Sequence, residues 1–176
     1  MINYQRHIVN FVILLTWVVP CKTTAQQKEH KLYTDIFRQM ADTLSKRHDR
    51  YISAHDSIRY GHMLITGTIE ITVEPLENGT TEIMGIKTSN KALEEYAGDL
   101  SFLKQYDYHP FFHDSMGIKH FFFPIWVRHD YKERAFSQHE EAMILELFGL
   151  SENWGDSTLL GNIYFPPIII TTDIVE

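Results

Sequence analysis

Cysteine is almost missing from this sequence: Cys21 is the single one in 176 residues. That excludes a disulfide framework and any zinc site built from four thiolates. Positive charge is short as well. Sixteen Lys and Arg stand against 23 Asp and Glu, a net charge of −7, which excludes a general binder of phosphate backbones and with it a nucleic-acid partner. Six prolines and nine glycines are too few and too scattered for a Pro/Gly-rich linker, and the sequence has neither a repeat nor a low-complexity tract. Gly-rich phosphate loops and the Gly-x-Ser-x-Gly nucleophile elbow are absent. The N-terminal apolar run, residues 8–19, is interrupted by Asn10 and Thr16. It falls well short of the roughly 20 residues that a membrane-spanning helix requires.

What is present is enough for a core: 44% apolar and 13% aromatic residues suit one domain of ordinary size. Residues 1–25 have the form of a secretory signal. Arg6 and His7 precede the apolar run, Pro20 ends it, and Thr23-Thr24-Ala25 offers small residues where a signal peptidase would cut. Cleavage after Ala25 removes Arg6, Cys21 and Lys22 and leaves a thiol-free chain of charge −9. Such a chain is expected to be exported, to the periplasm or the outer envelope, and to insert strongly into no membrane. The alternatives are a membrane anchor through an uncleaved N-terminus, or a lipid on Cys21, where Pro20 replaces the small residue expected before a lipidated cysteine.

Tyr33, Ile36, Phe37, Met40 and Leu44 recur at helical spacing and predict a packing helix over residues 31–50. Its basic end, Lys46-Arg47-His48-Asp49-Arg50, reads as a solvated C-terminus favoured by the helix dipole. Residues 65–88 carry strand periodicity, with Ile69, Ile71 and Val73 alternating with Thr68, Glu70, Thr72 and Glu74. Asn78-Gly79 supplies a two-residue hairpin turn in which both positions take positive φ. In that register Val73 faces Met84, Ile71 faces Ile86 and Ile69 faces Thr88 on one side, while Glu70 faces Lys87 on the other.

Ser89 or Asn90 then caps a helix carrying Leu93, Tyr96, Ala97, Leu100 and Leu103, which Gly98 weakens without breaking. Residues 120–127 form a third strand, with Phe121, Phe123, Ile125 and Val127 on one face and Phe122, Pro124 and Trp126 on the other. Pro124 donates no ladder hydrogen bond, so this strand belongs at an edge or turns the proline nitrogen where no partner lies. Ser137-Gln138-His139-Glu140 is a capping box that opens a helix ended by Gly149. Residues 163–172, with Pro166-Pro167, make a last extended segment. The fold class is therefore α+β: a small antiparallel sheet of hairpin, third strand and C-terminal strand, packed against two or three helices.

This order of elements over residues 67–128 resembles the C-terminal domain of TonB-type energy transducers. Gly67-Thr68-Ile69-Glu70-Ile71-Thr72-Val73 is similar to the family's glycine-led first strand, Asn78-Gly79 to its hairpin turn, and Ile83-Met84-Gly85-Ile86-Lys87-Thr88-Ser89 to its second strand. Ala92-Leu93 opens the helix in the expected place, and Pro110, Gly117 and Phe123-Pro124-Ile125-Trp126-Val127 mirror the family's proline, glycine and closing strand. The transducers carry a membrane-spanning anchor and a long proline-rich spacer; here the apolar run is short and the spacer is missing. The implied division is a signal at 1–25, a helix at 26–52, the TonB-like α+β domain at 53–132, and a helix-strand extension at 133–176 on the same domain.

The resemblance implies a non-enzymatic interaction module, without a cofactor, that binds an extended peptide by strand addition in the envelope; the partner would be a protein such as an outer-membrane receptor. The candidate edge residues are His120, Phe122, Pro124, Trp126, Ile168 and Ile170. Alternatively, the C-terminal segment pairs with the third strand and closes that edge against aggregation, and the partner surface lies elsewhere. A reading from another class takes His109, His113 and His120, near Asp107 and Asp114, as ligands of a metal-binding protein or metal-dependent hydrolase. Their spacing matches no established ligand motif, and His139-Glu140-Glu141 lacks the second histidine of a zinc protease.

Overall fold

A computed structural model describes residues 24–55, 61–112, 117–130 and 162–173, together with residue 142. Most of the signal segment including Cys21, the capping box at Ser137 with nearly all of its helix, and His113 and Asp114 lie outside the described residues.

Helix α1 (Thr24–Ala54) runs past its apolar pattern at both ends. Ile36, Met40 and Leu44 are fully buried, and the stripe continues at the same spacing through His48 and Ile52. His48 carries the buried face across the basic segment, so residues 46–50 are an interior turn and not a solvated helix end. Arg47 there donates to the main-chain oxygen of Asp99.

Strands β1 (His62–Pro75) and β2 (Thr81–Thr88) form the expected hairpin, with Ile69–Thr88, Glu70–Lys87 and Ile71–Ile86 as pairs. Two details differ. The turn is a three-residue loop, Glu77-Asn78-Gly79, closed by bonds from Gly79 N–H to Leu76 O (3.0 Å) and from Leu76 N–H to Thr80 O (2.8 Å). Gly79, at φ +80°, takes the left-handed conformation and Asn78 does not; Asn78 instead accepts from Thr80 N–H at 3.0 Å. Second, the register slips between Thr72 and Val73, so that Val73 faces Ile83 and not Met84, and Glu74 faces Glu82. Met84 is the extra residue of a bulge, and it is 59% exposed.

The passage from β2 into helix α2 (Lys91–Ala97) is built on Gly67. Asn90 accepts from Leu93 N–H at 2.9 Å as the helix cap, and its amide donates to Thr66 O at 2.8 Å. Ser89 Oγ accepts from Thr68 N–H and Ser89 N–H donates to Thr68 O, both at 2.9 Å. A Cβ at position 67 would overlap Ser89 Oγ and lie 2.8 Å from Asn90 Nδ2 and 3.0 Å from Leu93 Cδ2. Only glycine lets the helix start sit this close to the strand. Gly98, at φ +54°, ends α2 outright, and Leu100 and Leu103 are buried from the segment that follows, which includes a 3₁₀ turn (Ser101–Gln105).

Strand β3 (Lys119–Asp130) pairs antiparallel with β1 along twelve residues, from Lys119–Val73 to Asp130–His62. On its other side it pairs in parallel with β4 (Asn162–Tyr164) and β5 (Ile168–Asp173). The fold is α+β as expected, but its five-stranded sheet is mixed, because the C-terminal strands run parallel to their neighbour. The third strand is interior and tolerates Pro124 for a local reason. Phe122 O accepts from Phe165 N–H at 2.8 Å, so even-numbered residues of β3 turn their main chain toward the C-terminal strands. Pro124 therefore presents its nitrogen where Phe165-Pro166-Pro167 interrupt β4 and β5. Phe165 is stacked between Phe123 (ring centroids 4.1 Å apart) and Tyr33 of α1 (4.3 Å). One core joins these residues to Ile69, Ile71, Phe121, Ile125 and Val127, all fully buried.

Two predictions follow from this core. Replacing Gly67 with alanine should destabilise the fold by about 2 kcal/mol or more, through overpacking against the α2 cap, read from the midpoint of denaturant unfolding; an unchanged midpoint would refute the close approach. Burial holds the phenols of Tyr33, Tyr96 and Tyr108 well above their ordinary value, Asp49 adding its negative charge at Tyr96. The unfolded chain releases those protons near its ordinary pKa of about 10 and the folded chain keeps them, so stability should be constant to about pH 9 and fall above about pH 10. Tyrosinate absorbance should then appear together with unfolding, and not as an independent titration of the native protein.

Candidate functional site

Four of the residues expected at an edge, His120, Phe122, Pro124 and Trp126, belong to β3, which has neighbours on both sides. They cannot receive an added strand, because the C-terminal segment already occupies that position. Ile168 and Ile170 lie on β5, which pairs with β3 on one side and has no other strand neighbour among the described residues. Of the two arrangements open for the C-terminal segment, the structure shows the one that closes the β3 edge.

The outer face of the sheet gathers polar groups. His120 Nδ1 lies 2.8 Å from Glu70 Oε1 and 3.5 Å from Thr72 Oγ1, and Phe122 stacks with Tyr164 at 4.9 Å. Glu70 and Thr72 thus address the same ring nitrogen. A catalytic histidine needs its acid on one nitrogen and its nucleophile on the other, so this trio is not arranged as a triad. Farther along β3, Asp130 joins His62 (2.6 Å) and Arg128 (2.5 Å). Among the described residues, no group of three His, Cys, Asp or Glu side chains is placed to hold a metal ion. His109 is exposed in a second 3₁₀ turn (His109–Phe111), where its N–H donates to Asp107 at 3.0 Å.

Among the described residues β2 is an edge, with β1 as its only strand neighbour, and β5 at the other side of the sheet likewise pairs only with β3; β2 is the edge that borders a groove. Alternation fixes which groups point outward. Ser89 N–H bonds to Thr68 O, so Thr68, Glu70 and Thr72 turn their main chain toward β2, and their partners Lys87 and Gly85 turn theirs back. Ile86 and Thr88 therefore present N–H and C=O away from the sheet, as does Ile83 beyond the bulge. Beside this edge runs an open groove of about 650 Å³, with Ile83 and Ile86 on the strand wall and Gly98, Leu100, Ser101 and Lys104 on the other. Its rim carries Lys87 and Lys104 with Glu94 and Asp99. Bonds from the main chain and then the hydroxyl of Ser101 hold the Asp99 carboxyl below its ordinary range, so it is an anion on that rim at neutral pH.

The sequence pattern missed this site because the hairpin signal says nothing about which strand is left outside. The bulge had a visible marker, however: Gly85 inside an otherwise regular strand pattern. Compared with protein-family models, with curated proteins and with solved structures, the chain matches none. Among the described residues no helix is long and apolar enough to cross a membrane.

Amide exchange tests the edge directly. At low protein concentration the N–H groups of Ile83, Ile86 and Thr88 should exchange quickly, and those of Gly85 and Lys87 slowly. Uniform protection along residues 83–88 would mean that the edge is covered.

Proposed function

We propose that the protein is an exported, non-enzymatic interaction module of the bacterial envelope, similar in plan to the TonB C-terminal domain, that binds an extended segment of a protein partner by strand addition at β2. The outward main-chain groups of Ile83, Ile86 and Thr88 beside an open groove carry this reading. Main-chain bonds to the edge would supply affinity, and alternate side chains of the bound segment, entering between Ile86 and Leu100, would supply selectivity. An outer-membrane receptor fits the partner class because its periplasmic end offers extended chain. Export rests on the form of residues 1–25.

The test is selection of peptides from a random displayed library on the purified chain, followed by amide exchange on the complex. Bound peptides should slow exchange at Ile83, Ile86 and Thr88, and N-methylation of alternate peptide amides should abolish binding. Peptides that bind without protecting those three amides, or the failure of any peptide to bind, would overturn the reading.

A further inference from the structure

We propose that the outer edge of β2 pairs with β2 of a second copy of this chain, antiparallel, in the register that sets Glu82 opposite Lys87 and Ile83 opposite Ile86. This rests on the reading that the edge accepts a strand, and names the strand.

The charge row on the outer face of the hairpin is unbalanced within one copy. On the outer face Glu70 faces Lys87, an opposite-charge pair, but the bulge sets Glu74 directly against Glu82. Like charges directly opposite are destabilising. Glu82 and Lys87 share the outer face, since both pair with even-numbered residues of β1. Two β2 strands related by a two-fold axis between Met84 and Gly85 bring Lys87 of each copy beside Glu82 of the other. The row then reads Glu74, Glu82, Lys87, Glu70 across the junction, and Glu82 of each like-charged pair gains a cation directly opposite.

The same register satisfies the main chain. Ile83 and Ile86 both turn their N–H and C=O outward, and the pairing sets Ile83 of one copy against Ile86 of the other, so outward groups meet outward groups. Their side chains lie on the opposite face from the charges, and those of the second copy enter the groove beside half-buried Ile83 and Ile86 and buried Leu100. At the axis, exposed Met84 arrives over Gly85, where an added Cβ would touch nothing within 4 Å. A bulge and a lysine ordinarily blunt an edge against pairing. Here each copy's bulge faces the other's, and each lysine meets a glutamate.

The experiment is sedimentation equilibrium of the purified chain and two variants, E82K and K87E, with circular dichroism to confirm folding. The wild type should form dimers. Each variant alone places like charges at both junctions and should associate about tenfold or more weakly. An equimolar mixture should recover association, because both contacts between positions 82 and 87 in the mixed dimer again join opposite charges. If K87E does not fold, Glu82→Cys mixed with Lys87→Cys, in a Cys21→Ser background, should cross-link faster than either alone. A monomeric wild type at its highest soluble concentration, a dimer indifferent to both variants, or a mixture no stronger than its components would overturn the pairing. A monomer whose Ile83 and Ile86 amides are still protected by selected peptides refutes self-pairing alone; a chain that neither dimerises nor protects those amides with peptide refutes strand addition as well.

Discussion

The clasp of Ser89 and Asn90 on the main chain of Thr66-Gly67-Thr68 is the constraint on which the rest of the arrangement depends. Hydrogen bonds to Thr66 O, Thr68 N–H and Thr68 O replace the sheet ladder at the point where β2 leaves it. The same asparagine starts α2. Because the clasp occupies the volume of a missing side chain at position 67, the helix is pinned over the sheet at its first turn. Gly98 then releases the chain after two turns, and the following segment becomes the far wall of the groove. The site is thus set by where one strand is forced to stop.

Aromatic stacking does comparable work at the opposite side of the sheet. Phe165 lies between Tyr33 and Phe123, tying the C-terminal segment to both α1 and β3. Stacked ring pairs add roughly 0.5–1.5 kcal/mol each beyond area burial, and the two Phe165 pairs coincide with the break that accommodates Pro124. With the β3 edge closed, β2 borders a groove and, among the described residues, has a strand neighbour on one side alone.

Much of the fold was legible because period and turn chemistry agreed. Ile69, Ile71, Phe121, Phe123, Ile125 and Val127 announced their buried face by alternation alone, and Ser89-Asn90 announced a cap, which Asn90 supplies. What was not legible depended on single-residue geometry or on contacts distant in sequence. The bulge at Met84 reverses one residue's exposure without altering the apolar pattern. His48 is buried with Tyr96 of α2 and His129 of β3 against it, each ring 6.1 Å away, and nothing local to a run of basic residues signals that. The parallel direction of β4 and β5 reflects a long crossover that local pairing rules do not see. The candidate site followed from that last point: strand patterning located the strands, but only their order in the sheet decided which one was left open.

Parallel pairing of β3 with β4 and β5 also has a temporal consequence. The 31 residues 131–161 separate the end of β3 from the start of β4, so a chain emerging from its N-terminus completes the β2-β1-β3 ribbon well before the segment that shields it is available. During that interval Phe122, Ile125 and Val127 border an unsealed ladder, the kind of template on which chains associate wrongly. A chaperone that holds this protein until its synthesis is finished would act on that interval, and a truncation after β3 would make the exposure permanent.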